Sequence, residues 1–264
     1  MFKGCLRALF TGAILSIPQL AAASTSMAIL DFAQTGGSGT PKHRLLISDA
    51  YVVTQDGEDR MLSRYDLKNR TLLMIDHQQQ SFSSISKETA AEFAQQLKDQ
   101  IAKILEQIEA LPPEKQAATR AGLERLIGKG YNDDGVLEAA NFSPTGDAGQ
   151  FAGVQCQWFN YSEGDRSGRA CLAEPKELDG GEQLLAMLRT LSEIYTIVKD
   201  GQHDEYQLAL PNNPMAPMAR LGKLAIRIAE SNSKSTREVE LLSVERAPAG
   251  EASFAIPSGF TALP

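Results

Sequence analysis

Two pairs of residues have the types and spacing that chemistry uses. Cys156 and Cys171, in "GVQCQWFNYSEGDRSGRACLAEP", are fifteen positions apart, and Asp76-His77 puts a carboxylate beside an imidazole. Two thiols can form a structural disulfide, a metal pair or a redox couple. A structural zinc site needs four ligands in close pairs, whereas His43, His77 and His203 each stand alone. A redox couple would usually read C-x-x-C at a helix start, which this chain lacks. A structural disulfide is therefore the expected state. Asp76-His77 invites an acid–base reading, but a histidine closing a strand beside "QQQ" reads as a polar turn flank.

Other motifs that announce an activity are missing. "GGSGT" has no G-x-S-x-G spacing, and there is no phosphate loop, dinucleotide fingerprint or H-E-x-x-H. Asn132-Asp133-Asp134-Gly135 resembles the start of a calcium loop without the alternating ligands or the closing glutamate. It reads as a turn. Three sequons begin at Asn69, Asn141 and Asn160 and matter only in a host that glycosylates. These absences point away from an enzyme, a cofactor or a metal, and no catalytic residue is assigned.

The start of the chain bears on the cysteines. "MFKGCLRALFTGAILSIPQLAAAS" has Lys3 and Arg7, then an apolar run, then Ala21-Ala22-Ala23. That is the build of a secretory leader over residues 1–23, cut after Ala23. Its apolar run is too short for a span of about 20 residues, so an integral membrane protein is not expected. Cleavage would remove Cys5 and leave an even pair in a compartment that permits disulfides, periplasmic or extracellular. The net charge of −7 grows more negative without Lys3 and Arg7. An acidic chain is a poor partner for nucleic acid or anionic membranes.

The elements that position these residues follow from periodicity. Residues 24–85 read as short strands separated by turns, an antiparallel meander. "RLLI" and "LLMI" are apolar at consecutive positions, so their strands should be covered on both faces, by protein or by an apolar ligand. Phe93, Leu97, Ile101, Ile104, Leu105, Ile108 and Leu111 recur every three or four residues, which predicts a helix capped by Ser86 and stopped at Pro112-Pro113. A second helix runs to about Gly128, making a helical insert over about 87–129. "YNDDGVLEAANFSPTGDAGQFAG" reads as irregular, then come the cysteine hairpin and an amphipathic helix from Gly180. "LPNNPMAPMARLG" reads as a proline-bearing crossing before the last strands. A hairpin centred on Glu163-Gly164 would set Cys156 directly opposite Cys171 and Trp158 opposite Arg169, a cation–π pair. The order is that of a single α+β domain, residues 24–264, whose late strands complete the early sheet.

"YDLKNRTLLMIDHQQQSFSSI", the helix closing on "LPPEKQ", the cysteine hairpin and "LLSVERAPAGEASFAIPSGF" together carry a family likeness. The chain resembles a family of secreted bacterial proteins described only as a domain of unknown function. It is also similar to the LolA-type periplasmic lipoprotein carriers. The likeness implies an incomplete antiparallel β-barrel, a half-barrel, packed on amphipathic helices, with a concave apolar face that holds acyl chains. On that reading Leu46, Leu72, Met74, Phe82 and Trp158 line the apolar-ligand site, and the partner is a lipid or lipoprotein. Two alternatives stand beside it: an envelope interaction or sensor module without ligand, and a hydrolase whose site carries no known motif. The helical insert is a departure from the carriers and would abolish carriage if it filled the cavity.

Overall fold

The computed structural model describes residues 26–36, 42–127, 141–163, 166–201, 215–231 and 236–263. The predicted leader, His203 and the Asn132–Gly135 turn lie outside these residues.

Six strands open the described chain: β1 (Ser26–Thr35), β2 (Lys42–Ile47), β3 (Tyr51–Gln55), β4 (Met61–Asp66), β5 (Thr71–Asp76) and β6 (Ser81–Ile85). Two helices follow, α1 (Lys87–Glu109) and α2 (Pro113–Ile127), then β7 (Asn141–Phe151), β8 (Val154–Glu163) and β9 (Arg166–Ala173). After α3 (Gly181–Asp200) and α4 (Met215–Leu221) come β10 (Leu224–Ser231), β11 (Thr236–Pro248) and β12 (Thr261–Ala262). The strands form one open sheet in the order β12-β6-β5-β4-β3-β2-β1-β11-β10-β9-β8-β7. Every neighbouring pair is antiparallel except β12 with β6. The fold is thus α+β on a large, mostly antiparallel sheet. β1 joins its halves, pairing with β2 on one side and β11 on the other.

The α1 helix starts as its sequence asks. Ser86 Oγ accepts from the Thr89 N–H while Thr89 Oγ1 accepts from the Ser86 N–H, a reciprocal cap. Of the predicted stripe, Ile101, Leu105 and Ile108 are buried with Leu123 of α2, whereas Phe93 and Ile104 are exposed.

The α3 helix covers the middle of the sheet. Leu184, Leu185, Met187 and Leu188 pack into a core shared with Leu30, Ile47, Val52 and Tyr65. Each such side chain contributes about 2 kcal/mol when fully buried. Tyr65 Oη donates to Thr190 Oγ1 at 2.8 Å in this core, so the tie carries no orphaned hydroxyl. At the helix entry Gly180 has φ +74, and a Cβ there would lie 2.6 Å from Ile47 Cγ2. Arg246 of β11 grips Asp179 with two hydrogen bonds of 2.6 Å, fixing that entry to the sheet.

The opposite face has its own cover. Met27, Leu46, Val53 and Met61 pack beneath Phe254, in a short 3-10 turn over Glu251–Phe254. "RLLI" is therefore covered on both sides, Leu45 and Ile47 by the helix-face core and Leu46 by the second. "LLMI" is not, because Met74 is 43% exposed.

Two segments differ from the sequence expectation. Residues 141–151, expected to be irregular, form the edge strand β7. Its Pro144 and Gly146 read as turn signals, yet an edge strand accommodates both at the bulge between Pro144 and Ala148. Residues 215–221, read as a crossing, are helical, and Met218 of α4 packs on Phe159, Ala170 and Leu172.

Candidate functional site

Between α3 and the middle of the sheet lies a cavity of about 480 Å³, within the range of small-molecule sites. Its register explains its walls. Phe32 pairs with Leu241 and His43, and Ile228 with Val239, so alternate residues of β1, β2 and β11 line the space, while the bulge between Ala225 and Arg227 brings consecutive residues of β10 to it. Phe32, Leu45, Ile228 and Val239 give the sheet side, and Leu184, Met187 and Leu188 the helix side.

One end of this apolar space is polar. Following Ile228 along β10 by two residues brings Glu230, which pairs across the ladder with Arg237 of β11. Their side chains approach to 3.7 Å. Arg237 Nη2 also donates to Gln34 Oε1 at 3.3 Å, and His43 lines the same space. Glu230 is 8% exposed, yet its Oε2 has no hydrogen-bond partner, and neither has the buried Arg237 Nε, among the described residues. Buried polar atoms of this kind cost free energy until something satisfies them. Arg227 also lines the cavity, beside the bulge between Ala225 and Arg227, and its buried Nε has no partner either among the described residues. It pairs with Glu238 and Glu240 and lies 5.2 Å from the Phe151 ring.

The five residues predicted to line a ligand site are not brought together, and none lines this cavity. Leu46 lies in the core on the opposite face, and Phe82 pairs with Ile75, which belongs to that same face. Leu72 is buried in the helix-face core, Met74 is exposed, and Trp158 packs near the disulfide at the far end of the sheet. In β2 the cause is geometric: consecutive residues of a strand point to opposite faces, so Leu45 lines the cavity and Leu46 does not. A signal for the observed site was present in "LAIRIAES", where Glu230 continues the alternation of Leu224, Ile226 and Ile228. A carboxylate on an apolar face asks for a partner.

Cys156 and Cys171 are bonded, with Cα atoms 5.4 Å apart, and both are buried. The register differs from the expected one. β8 and β9 end their ladder at Glu163 and Arg166, so Trp158, not Cys156, stands opposite Cys171, and Asn160 stands opposite Arg169. The bond therefore runs diagonally. The Arg169 guanidinium still lies 4.8 Å from the Trp158 ring, across the next diagonal, parallel to that of the disulfide.

His77 is held in a structural role, its Nε2 2.7 Å from the Met61 carbonyl oxygen and its ring edge-on to Phe260. Among the described residues no three His, Cys, Asp or Glu side chains gather in a way that would hold a metal ion. A second hollow, of about 420 Å³, lies on the opposite face beside Tyr51, Arg64 and Phe254 and is the more open of the two.

No helix of the described residues is long and apolar enough to cross a membrane. With the disulfide, this is compatible with an extracellular or periplasmic protein. No family model and no curated protein matches the chain. Solved structures of PNGF-II, in C2 and P21 space groups, align at 9% identity with TM-scores of 0.38 and 0.40. The alignment covers 90% of this chain and 31% of theirs, so the chain spans about a third of the length of those structures.

Proposed function

We propose that this protein is an exported, non-enzymatic carrier that holds the apolar part of a lipid or lipoprotein acyl chain between α3 and the sheet, in the manner of the LolA-type carriers. The observation that carries the reading is the cavity of about 480 Å³ walled by Phe32, Leu45, Met187, Leu188, Ile228 and Val239. An apolar cleft of this size with a few polar groups at one end is the usual form of a small-molecule site. The helical insert does not remove the space, because α3, outside the insert, forms its helix side.

The test is native mass spectrometry of the protein recovered from its own host's envelope, beside displacement of 1-N-phenylnaphthylamine in solution. Carriage requires a co-purifying lipid and a saturable fluorescence rise that fatty amphiphiles reverse. Protein that is only ever apo and never takes up the dye would sink the reading.

A second reading, an envelope interaction module, draws on a different observation. Phe93 and Ile104 of α1 are 50% and 39% exposed, on a helix packed chiefly against α3. That reading requires an in-cell crosslinked partner that disappears when both residues become serine, with dye binding unaffected.

A further inference from the structure

The polar end of the cavity restricts what its occupant can be. Glu230 Oε2 is an acceptor without a donor, and Arg237 Nε is a donor without an acceptor. Both belong to side chains that line the cavity, and the two residues are cross-strand partners. One carboxylate and one guanidinium face each other there and their formal charges cancel, while the second guanidinium of the lining, that of Arg227, is already met by Glu238 and Glu240. A carboxylate headgroup would bring a second negative charge to Glu230 and offer it no hydrogen. A quaternary ammonium head would face Arg237 and donate nothing.

We infer that the cavity takes an amphiphile with an uncharged head that both donates and accepts hydrogen bonds, a hydroxyl or a carboxamide, with its chain lying along α3. The inference rests on the carrier reading above. The head's O–H or N–H donates to Glu230 Oε2 while its oxygen accepts from Arg237 Nε–H. Gln34 and His43 stand ready for a further polar atom of the head. The terminal torsion of a glutamate is broad, so the carboxylate turns Oε2 toward the cavity at little cost. The chain fills the space among Phe32, Leu45, Ile228, Val239 and the α3 leucines, each buried methylene adding to affinity. Head and tail thus divide the work, the tail giving affinity and the Glu230–Arg237 pair giving selection.

The experiment compares monolaurin, laurate and dodecyltrimethylammonium as competitors for 1-N-phenylnaphthylamine bound to the folded chain, at one pH and salt concentration. Their apolar chains are of similar length, so differences report on the head. A hydrogen bond to a charged group gives monolaurin an advantage of about tenfold over both others. In the Glu230→Gln variant, whose fold is checked by its circular dichroism and melting midpoint, the advantage over laurate shrinks towards parity, because the repelling charge is gone. Equal displacement by all three, or laurate ahead in the wild-type chain, overturns the inference and leaves the carrier reading standing. An advantage that Glu230→Gln leaves unchanged overturns it too. Displacement by none of the three overturns the carrier reading itself.

Discussion

Cys171 stands directly across from Trp158, and its disulfide partner Cys156 lies two positions along the same face of β8. Gly149 of β7 is in turn the cross-strand partner of Cys156. The bond therefore sits beneath the edge strand, in a part of the sheet that curls. Phe151 of β7 and Arg227 of β10 are three strands apart, about 14 Å in a flat sheet, yet the guanidinium is 5.2 Å from the ring.

Loss of the disulfide should therefore loosen the curled end. It closes a loop across fifteen positions, worth about 3 kcal/mol in the chain-entropy account. The double variant Cys156→Ser, Cys171→Ser should lose stability of that order, read by urea denaturation, and reduction of the wild-type chain should reproduce the loss. A native mass matching two free thiols would contradict the pairing.

Gly149 gives a second test of the same region. A Cβ there would lie 2.7 Å from Cys171 Sγ and 3.0 Å from Trp158 Nε1, too close for ordinary contact. Gly149→Ala should cost about 1–3 kcal/mol by overpacking. The cost should shrink when Cys171 is already alanine and the sulfur is gone, and a double-mutant cycle measures the coupling. Additive losses would show that the glycine is not there to make room for the bond.

What the sequence revealed and what it hid divide on physical lines. Strand alternation, the Ser86 cap and the Pro112-Pro113 stop are local signals, and those elements lie where expected. The cysteine hairpin was legible too, but its register was misplaced, because a polar loop with one glycine does not say which two residues turn. β7 was hidden because proline and glycine mean something different at a sheet edge than in the middle of a strand. The cavity was hidden because it depends on which face of each strand α3 covers. Glu230 and Arg237 become neighbours only through the β10–β11 register, although each already broke an apolar alternation.

Acid should weaken the fold in a stated window. The hydrogen bond from Arg44 to Asp31, 2.7 Å at its shorter arm, holds the Asp31 carboxyl below the ordinary aspartate range, against an opposing push from burial. Arg246 does the same for Asp179. A depressed folded-state value means stability that is present above the unfolded value of about 3.9 and is lost as pH falls below it. The melting midpoint should thus hold near neutrality and drop as pH falls below about 4. Asp31→Asn should flatten part of that slope while lowering stability at pH 7, and an unchanged slope would remove Asp31 from the account.

Filling the cavity separates a binding site from a packing fault. Val239 is half-buried on its wall, opposite the α3 side chains. Val239→Trp puts an indole into the space, so dye and amphiphile affinity should fall at least tenfold. Stability should hold or rise, because filling a void gains contacts that the native chain forgoes, typically about 0.5–2 kcal/mol where it succeeds. Saturating ligand should in contrast stabilise only the wild-type chain, by about 2.7 kcal/mol at a hundredfold excess over Kd. A void kept for binding predicts this opposition, with the variant firmer at rest and deaf to ligand. If the variant binds as well as the native chain, the ligand sits elsewhere, and the more open hollow beside Tyr51 and Arg64 becomes the place to look.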